Sequence, residues 1–209
     1  MKQTYVDAGS LNERLELLEF QETSENVWEW VSAGRLWGSI SLDDGQKRNL
    51  FSSVGIGARN ASRVIRTRPI TLHHALQWKG NHLFLTAITK RDRMHLDMSA
   101  ALVTIVQCEA ERSQSTVDRE HNNRPIVTPL PPVTFPAVLT EKYVRYTRED
   151  TYATATTMLV LVTPKPIDLK EGNLVTVRDG PAAAVYNIQA RHVLDEFKNE
   201  YEIAWSRDV

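Results

Sequence analysis

The sequence has little cysteine and no long apolar run. Cys108 is the single cysteine of the 209 residues, so the chain cannot close an internal disulfide or build a cysteine-based zinc site. No stretch approaches the roughly 18 apolar residues of a membrane span. The N-terminal stretch lacks the apolar core of a signal peptide. We therefore expect a soluble protein of a reducing cytoplasm, with Cys108 in its core.

Motifs of catalysis and metal binding are also missing. The sequence contains no G-x-S-x-G, no phosphate-binding P-loop and no H-E-x-x-H. His74 and His82 could meet on adjacent strands, but no further ligand has a recognisable spacing. They are interpreted as packing or surface histidines. We predict that the chain is not an enzyme and that it holds no metal and no cofactor.

Alternating apolar and polar residues dominate what is present, and this pattern predicts β-strands. The alternation runs into Trp78, reverses at Lys79-Gly80-Asn81 and then resumes. Gly and Asn tolerate the positive φ that such a tight turn requires. Gly38 interrupts another strand pattern, at a point where the backbone bends or is closely approached. Residues 43–60 are interpreted as an excursion from an otherwise all-β framework.

Residues 109–132 mark a boundary in the chain. They are polar and charged up to Asn123, and the prolines that follow are Pro125, Pro129, Pro131 and Pro132. Prolines favour a stiff, extended linker over a packed element. We predict two small β-barrel-like domains, at residues 1–110 and 135–209, joined by a Pro-rich linker at residues 111–134.

The closing part of the first domain has a counterpart in the second. Trp78-Lys-Gly-Asn, a strand, a charged turn and Val103-Thr-Ile-Val form the first pattern. Val177-Arg-Asp-Gly, a strand, a polar turn and Tyr201-Glu-Ile-Ala form the second. This echo predicts tandem small barrels or a duplication.

The charge is divided unevenly, although its net value is only −1. Residues 55–94 carry eight Arg or Lys against Asp92 alone, whereas residues 1–50 carry five basic and nine acidic residues. Such polarity suits subunits that meet head-to-tail in a ring, or a face turned towards DNA. The alternative is a solvated strand face with alternating arginines. Tryptophans could stack on bases, as in an OB-fold, or serve as core and interface anchors.

The order of residues in the first half resembles tailed-phage head–tail joining proteins, the head-closure, adaptor or stopper group. Ala8-Gly9-Ser-Leu-Asn-Glu-Arg-Leu15 is similar to the G-x-L-N-x-R-(I/L) opening of that family. Arg35-Leu-Trp37-Gly-Ser-Ile40, Val64-Ile-Arg66-Thr-Arg68 and the hairpin around Lys79-Gly80-Asn81 follow in the same order. The resemblance covers residues 7–109. Family members carry one barrel, whereas this chain continues for about a hundred residues more.

The resemblance implies a virion structural protein at the head–tail junction, assembled in the host cytoplasm. It implies a homo-oligomeric ring of six or twelve that closes the DNA-filled capsid and docks the tail. Its implied partners are a portal or adaptor protein, tail proteins and genomic DNA in the channel, with no membrane and no cofactor. The loop at residues 43–60 becomes a candidate for the channel or for a neighbouring ring. In that loop Gln46-Lys47-Arg48 replaces the acidic residue usual in the family.

Three groups of residues are candidates for these contacts. The candidate channel-facing residues are Lys47, Arg48, Arg59 and Arg63. The candidate subunit-interface residues are Trp28, Trp30, Trp37, Arg66 and Arg68. The candidate portal or tail contacts are Met1, Lys2, Gln3, Thr4 and Tyr5. A tail-completion or tail-terminator protein and an OB-type nucleic-acid-binding module remain alternative functions.

Overall fold

The structure is a computed structural model that describes residues 8–42, 59–118, 124–146, 154–180 and 182–209. Apart from a short 3-10 helix at Ala8–Ser10, its regular elements are β-strands, which confirms the predicted all-β class. Within these ranges no helix is long and apolar enough to cross a membrane.

The first six strands belong to the first half of the chain. They are β1 (Glu13–Ser24), β2 (Val27–Leu42), β3 (Arg59–Arg66), β4 (His74–Trp78), β5 (Asn81–Lys90) and β6 (His95–Val103). The second six are β7 (Val106–Asp118), β8 (Arg124–Tyr146), β9 (Thr154–Pro164), β10 (Leu174–Asp179), β11 (Ala182–His192) and β12 (Lys198–Asp208).

Each set of six strands closes on itself. The strand order is β1-β4-β5-β6-β3-β2-β8-β7-β10-β11-β12-β9, with added pairings β1–β2 and β8–β9. These two pairings close a first barrel (β1–β6) and a second barrel (β7–β12). The two barrels have the same strand order: β1-β4-β5-β6-β3-β2 in the first corresponds to β7-β10-β11-β12-β9-β8 in the second. The chain is thus a tandem repeat of one topology, as the sequence echo predicted.

The compact units of the fold are not continuous in sequence. Unit 1 comprises Met1–Phe20, Trp30–Thr104 and Thr140–Ala155, and unit 2 comprises Gln21–Glu29, Ile105–Leu139 and Thr156–Val209. The tip of the β1–β2 hairpin therefore belongs to unit 2. The predicted boundaries at residues 110 and 135 assumed domains that are continuous in sequence. Such boundaries cannot describe units that each contain segments from both halves of the chain.

The segment predicted to be a linker forms a β-hairpin instead. β7 pairs with β8 continuously from Val106↔Ala137 to Asp118↔Arg124, with one register shift near Ala110. Pro125 and Pro129 lie an even number of residues apart, so both nitrogens point to the same side of the ladder. A proline costs no ladder bond where its nitrogen points away from the partner strand. The linker prediction is wrong because it treated proline as incompatible with every strand position.

Both barrels enclose apolar cores. In unit 1, Leu15, Ile65, Leu76 and Leu83 are among the fully buried members of one cluster. In unit 2, Tyr201 is buried, and its hydroxyl donates to the Ile167 carbonyl at 2.8 Å and accepts from the Leu169 amide at 3.0 Å. Cys108 is buried in the same unit, and burial raises its pKa to about 12. The prediction of a core cysteine is confirmed.

The predicted hairpin turn is confirmed, although the strained residues differ. β4 and β5 pair from Ala75↔Phe84 to Trp78↔Asn81, which leaves Lys79 and Gly80 as a two-residue turn. Their φ angles are 48° and 82°, the pair of positive values that a type I′ turn needs. Lys79 rather than Asn81 therefore adopts the left-handed conformation.

Gly38 marks a close approach, as the sequence suggested. A Cβ there would lie 2.9 Å from Ile65 Cγ2 and 3.0 Å from both Leu15 Cδ1 and the Val64 carbonyl oxygen. Ile65 and Leu15 are fully buried, so they have little room to move.

We expect Gly38→Ala to destabilise the protein by about 1–3 kcal/mol, because the added methyl overpacks the first barrel. Chemical denaturation of Gly38→Ala and of Ser41→Ala, an exposed position on the same strand, measures the difference. A Gly38→Ala variant as stable as the Ser41→Ala control would contradict this packing argument.

Candidate functional site

A concave surface of unit 1 gathers an exposed tryptophan and two arginines. It encloses about 270 Å³ and is lined by Leu11, Leu36, Trp37, Arg66 and Arg68. Trp37 is 59% exposed because it points away from the barrel interior, between the buried Leu36 and Gly38. Arg66 ends β3, and Arg68 lies just beyond it, where its Nη1 donates to the Arg35 carbonyl at 3.3 Å.

This arrangement suits recognition of another molecule. An exposed indole offers apolar area at low entropic cost, and guanidinium groups bind carboxylates or phosphates through several donors. Trp and Arg are also the residues that most often anchor protein interfaces. The structure therefore brings together three of the five predicted interface residues, Trp37, Arg66 and Arg68.

The other two predicted interface residues lie elsewhere. Trp30 packs within unit 1, with its ring centroid 5.0 Å from that of Phe20, 5.1 Å from that of His82 and 6.5 Å from that of Phe84. Trp28 is half-buried and falls in the hairpin tip assigned to unit 2. Neither residue belongs to the lining of the concave surface that contains Trp37.

A second, basic groove on unit 1 was not predicted from the sequence. It encloses about 210 Å³ and its lining includes Arg14, Arg35 and Lys79 along with Glu16. The Lys79 ammonium lies 3.2 Å from a Glu13 carboxylate oxygen and 4.7 Å from the centroid of the Trp78 ring. Three sequence-distant segments supply these cations, so only the strand order could have revealed the groove.

Glu13 fixes the edge of this groove. It accepts a hydrogen bond from Trp78 Nε1 at 3.0 Å and from Lys79 Nζ at 3.3 Å. The bond from Trp78, followed by that from Lys79, lowers the pKa of the Glu13 carboxyl. The turn lysine is thereby held beside the groove.

The structure corrects one candidate channel residue. Arg63 is 1% exposed, between Ala61 and Ile65 on the interior face of β3, so it cannot face a channel. Its Nε, Nη1 and Nη2 atoms have no hydrogen-bond partner among the described residues. Burial lowers its pKa to about 10. Arg63 lies on the same strand face as Ile65. The sequence of β3 did not show which face is buried, because both faces carry arginine and apolar residues.

The side chains of the other candidate residues are not described by the structure. Lys47 and Arg48 lie outside the described residues, and so do the predicted portal or tail contacts at residues 1–5. Arg59 opens β3, but its side chain is not described.

The histidines within the described ranges form no candidate metal site. His74 Nδ1 lies 3.0 Å from the Thr71 hydroxyl, and His82 is buried beside Trp30. Burial lowers the pKa of His82 to about 4, and its Nε2 has no partner among the described residues. No group of three potential ligands occurs in the part of the chain that the structure describes.

Comparisons with known proteins give little further information. No family model matches the sequence, and no curated protein matches it. One solved chain similar to this protein comes from the virion of a native gene transfer agent (GTA) particle. The two chains are 19% identical with a TM-score of 0.36, over 44% of this chain and 94% of that one. A likeness of this degree carries no functional argument.

We expect Arg63→Met to stabilise the protein by about 1–4 kcal/mol, because it replaces an unpaired buried charge by an apolar chain of similar length. Denaturant titration gives the free energy of unfolding, and Arg66→Met, at the exposed end of the same strand, is the control. A destabilised Arg63→Met variant would show that the guanidinium has a partner in the folded protein.

The buried His82 should make stability depend on pH. Its folded pKa of about 4 lies below the ordinary value of 6.5, so between these values the unfolded chain binds a proton that the native protein excludes. The native state should therefore lose about 3 kcal/mol as the pH falls from 7 to 4. His82→Leu should remove this part of the loss, whereas His192→Leu, at an exposed position, should keep it. Equal pH profiles for His82→Leu and the wild type would contradict the assignment.

Proposed function

We propose that this chain is a structural protein of a tailed-phage-like virion, acting in the head–tail connector. It forms a ring that closes the DNA-filled capsid and docks the tail, and it works by assembly rather than by catalysis. The observation that carries this proposal is the coincidence of the family-like segments with one closed barrel. The segments from Ala8 to Asn81 fall on the short helix, β1, β2, β3 and the β4–β5 turn of the first barrel.

The concave surface lined by Leu11, Leu36, Trp37, Arg66 and Arg68, here called the Trp37 concavity, is the proposed docking surface for a neighbouring protein of the connector. Its lining combines residues from three of the family-like segments: Leu11, Trp37 and the arginine pair Arg66 and Arg68. A portal, adaptor or tail protein with an apolar side chain flanked by carboxylates would complement it.

Because Arg63 is buried, other basic residues would contact DNA in the channel. Lys47, Arg48 and Arg59 remain proposed for this role, and the groove with Arg14 and Arg35 adds exposed positive charge. Because each chain holds two barrels, a ring of six barrel positions needs three copies and a ring of twelve needs six.

Two alternatives share parts of this site. A tail-completion or tail-terminator protein would use the same surface and differ only in its partner. An OB-type nucleic-acid-binding module is favoured by the exposed Trp37 ring beside Arg66 and Arg68, which could stack a base and hold its phosphate.

Removing the concavity should separate heads from tails. In a host that produces the particles, we expect the combined variant Trp37→Ala, Arg66→Ala and Arg68→Ala to lower the count of joined particles in electron micrographs by at least roughly tenfold. Thr86→Ala with Lys90→Ala, exposed on β5, is the control.

Normally joined particles from the combined variant would contradict the proposed surface. Absence of the wild-type chain from purified particles would contradict the virion role. If that absence came with salt-sensitive binding of single-stranded DNA by the isolated chain, lost in Trp37→Ala, the OB-type function would replace it.

A further inference from the structure

The strand registers align the two barrels residue by residue. In each barrel the third strand ends where the sixth begins, and the next amide of the chain donates to the carbonyl that precedes the sixth strand. The matched contacts are Arg66↔His95 with Pro164↔Lys198, and the Thr67 amide to the Met94 carbonyl at 2.7 Å with the Lys165 amide to the Phe197 carbonyl at 3.1 Å. Residues 91–94 of the β5–β6 loop therefore correspond to residues 194–197 of the β11–β12 loop.

A shared turn confirms this alignment. Asp92 Oδ1 accepts the amides two and three residues further on, at 2.6 Å and 2.8 Å. Asp195 Oδ1 accepts the amides at the same spacing, at 2.7 Å and 3.2 Å. An aspartate that binds its own backbone in this way closes a turn. Both loops thus keep the aspartate as part of the fold, and the residues beside it are free to differ.

The two loops differ in the residues on either side of the shared aspartate. The β5–β6 loop has Arg91 and Arg93 there, and Arg93 is exposed. The β11–β12 loop has Leu194 and Glu196 at the same positions. Leu194 is 102% exposed, and both Glu196 and the shared aspartate, Asp195, are exposed as well. The second barrel therefore presents an apolar side chain next to two carboxylates.

The strand ends beside these loops differ in a matching way. Arg66 and Arg68 line the Trp37 concavity of the first barrel, and both are exposed. The residues that align with them in the second barrel are Pro164 and Pro166. Arginines therefore lie at this end of the first barrel, whereas an apolar side chain and carboxylates lie at the same end of the second.

Lys165 holds the β11–β12 loop in place. Its Nζ donates to the Val193 carbonyl at 2.7 Å and also to the Asp195 carbonyl. These bonds fix the backbone on both sides of Leu194. A group that is already held in its binding position loses less entropy when a contact forms. The loop is thus prepared to insert its exposed leucine into another surface.

We propose that the β11–β12 loop of one copy docks in the Trp37 concavity of a second copy. Leu194 packs against the Trp37 indole, and the two carboxylates beside it bind the guanidinium groups of Arg66 and Arg68. Charge complementarity between the two barrels carries this assignment. The inference rests on the proposed ring and names the partner of its docking surface, which is a further copy of this chain.

The contact is head-to-tail, because its two sides are different surfaces of one chain. Each copy offers one concavity and one β11–β12 loop, and such contacts form a ring when the rotation closes. The corresponding β5–β6 loop is a poor occupant, since Arg93 would bring like charge to Arg66 and Arg68. Charge therefore sets the direction in which copies join.

Two variants on opposite sides of the contact test this inference. The loop variant is Leu194→Ala with Glu196→Lys. The concavity variant is Trp37→Ala with Arg66→Glu. Light scattering and native mass spectrometry give the mass of each full chain, and thermal unfolding confirms its folding.

Each variant has a matched control that makes the same kind of change at exposed positions of unit 2. For the loop variant it is Val127→Ala with Glu171→Lys. For the concavity variant it is Trp205→Ala with Arg207→Glu, because Trp205 is also an exposed tryptophan, at 60%.

The wild type and both controls should form closed oligomers, whereas each of the two test variants alone should be monomeric. A mixture of the two test variants should form a 1:1 dimer and nothing larger. In that dimer the intact loop of the concavity variant meets the intact concavity of the loop variant, and no further contact can form.

A test variant that assembles like the wild type, or a mixture that stays monomeric, would overturn the inference. So would a wild type that is monomeric at its highest soluble concentration. If that monomeric chain is present in particles, the virion role stands and the concavity binds a different protein. Head-to-tail assembly of a chain absent from particles would contradict the virion role and leave the contact intact.

Discussion

Closure of the backbone hydrogen-bond ladder is the constraint on which this structure depends. A sheet of six short strands has two edges, and the pairings β1–β2 and β8–β9 remove them by joining first and last strands. Closure also fixes which side chains face inwards, so Leu15, Leu76 and Leu83 meet in one core. The tip of the β1–β2 hairpin is longer than closure requires, and it is part of unit 2, where Val27 pairs with Thr134.

The functional surfaces follow from the same constraint. Because β2 and β3 are neighbours in the closed ladder, Trp37 and Arg66 lie side by side although they are distant in sequence. Because β1, β2 and the β4–β5 turn converge, Arg14, Arg35 and Lys79 share a groove. Neither surface carries a catalytic arrangement among the described residues. Both have the chemistry of recognition, which agrees with a protein that works as part of a larger assembly.

The sequence predicted features that depend on local pattern, and it failed where pairing partners decide the outcome. Strand alternation, the turn at Gly80 and the close approach at Gly38 are local, and the structure confirms them. The burial of Arg63 was missed because both faces of β3 carry an arginine and apolar residues, so alternation favours neither. Pro125 and Pro129 suggested a linker because the sequence alone does not show which way a proline nitrogen points in a ladder. Only the register with β7 places them in a strand. The assignment of the β1–β2 tip to unit 2 likewise depends on which strand it pairs with, which the sequence alone does not show.

The account rests most heavily on the claim that the chain is a structural part of a virion. Cryo-electron microscopy of purified wild-type particles, at a resolution that separates strands, tests this claim directly. The account predicts that the chain lies at the head–tail junction, with Trp37, Arg66 and Arg68 against a neighbouring protein. Particles that lack the chain, or a chain whose Trp37 surface faces solvent, would contradict it.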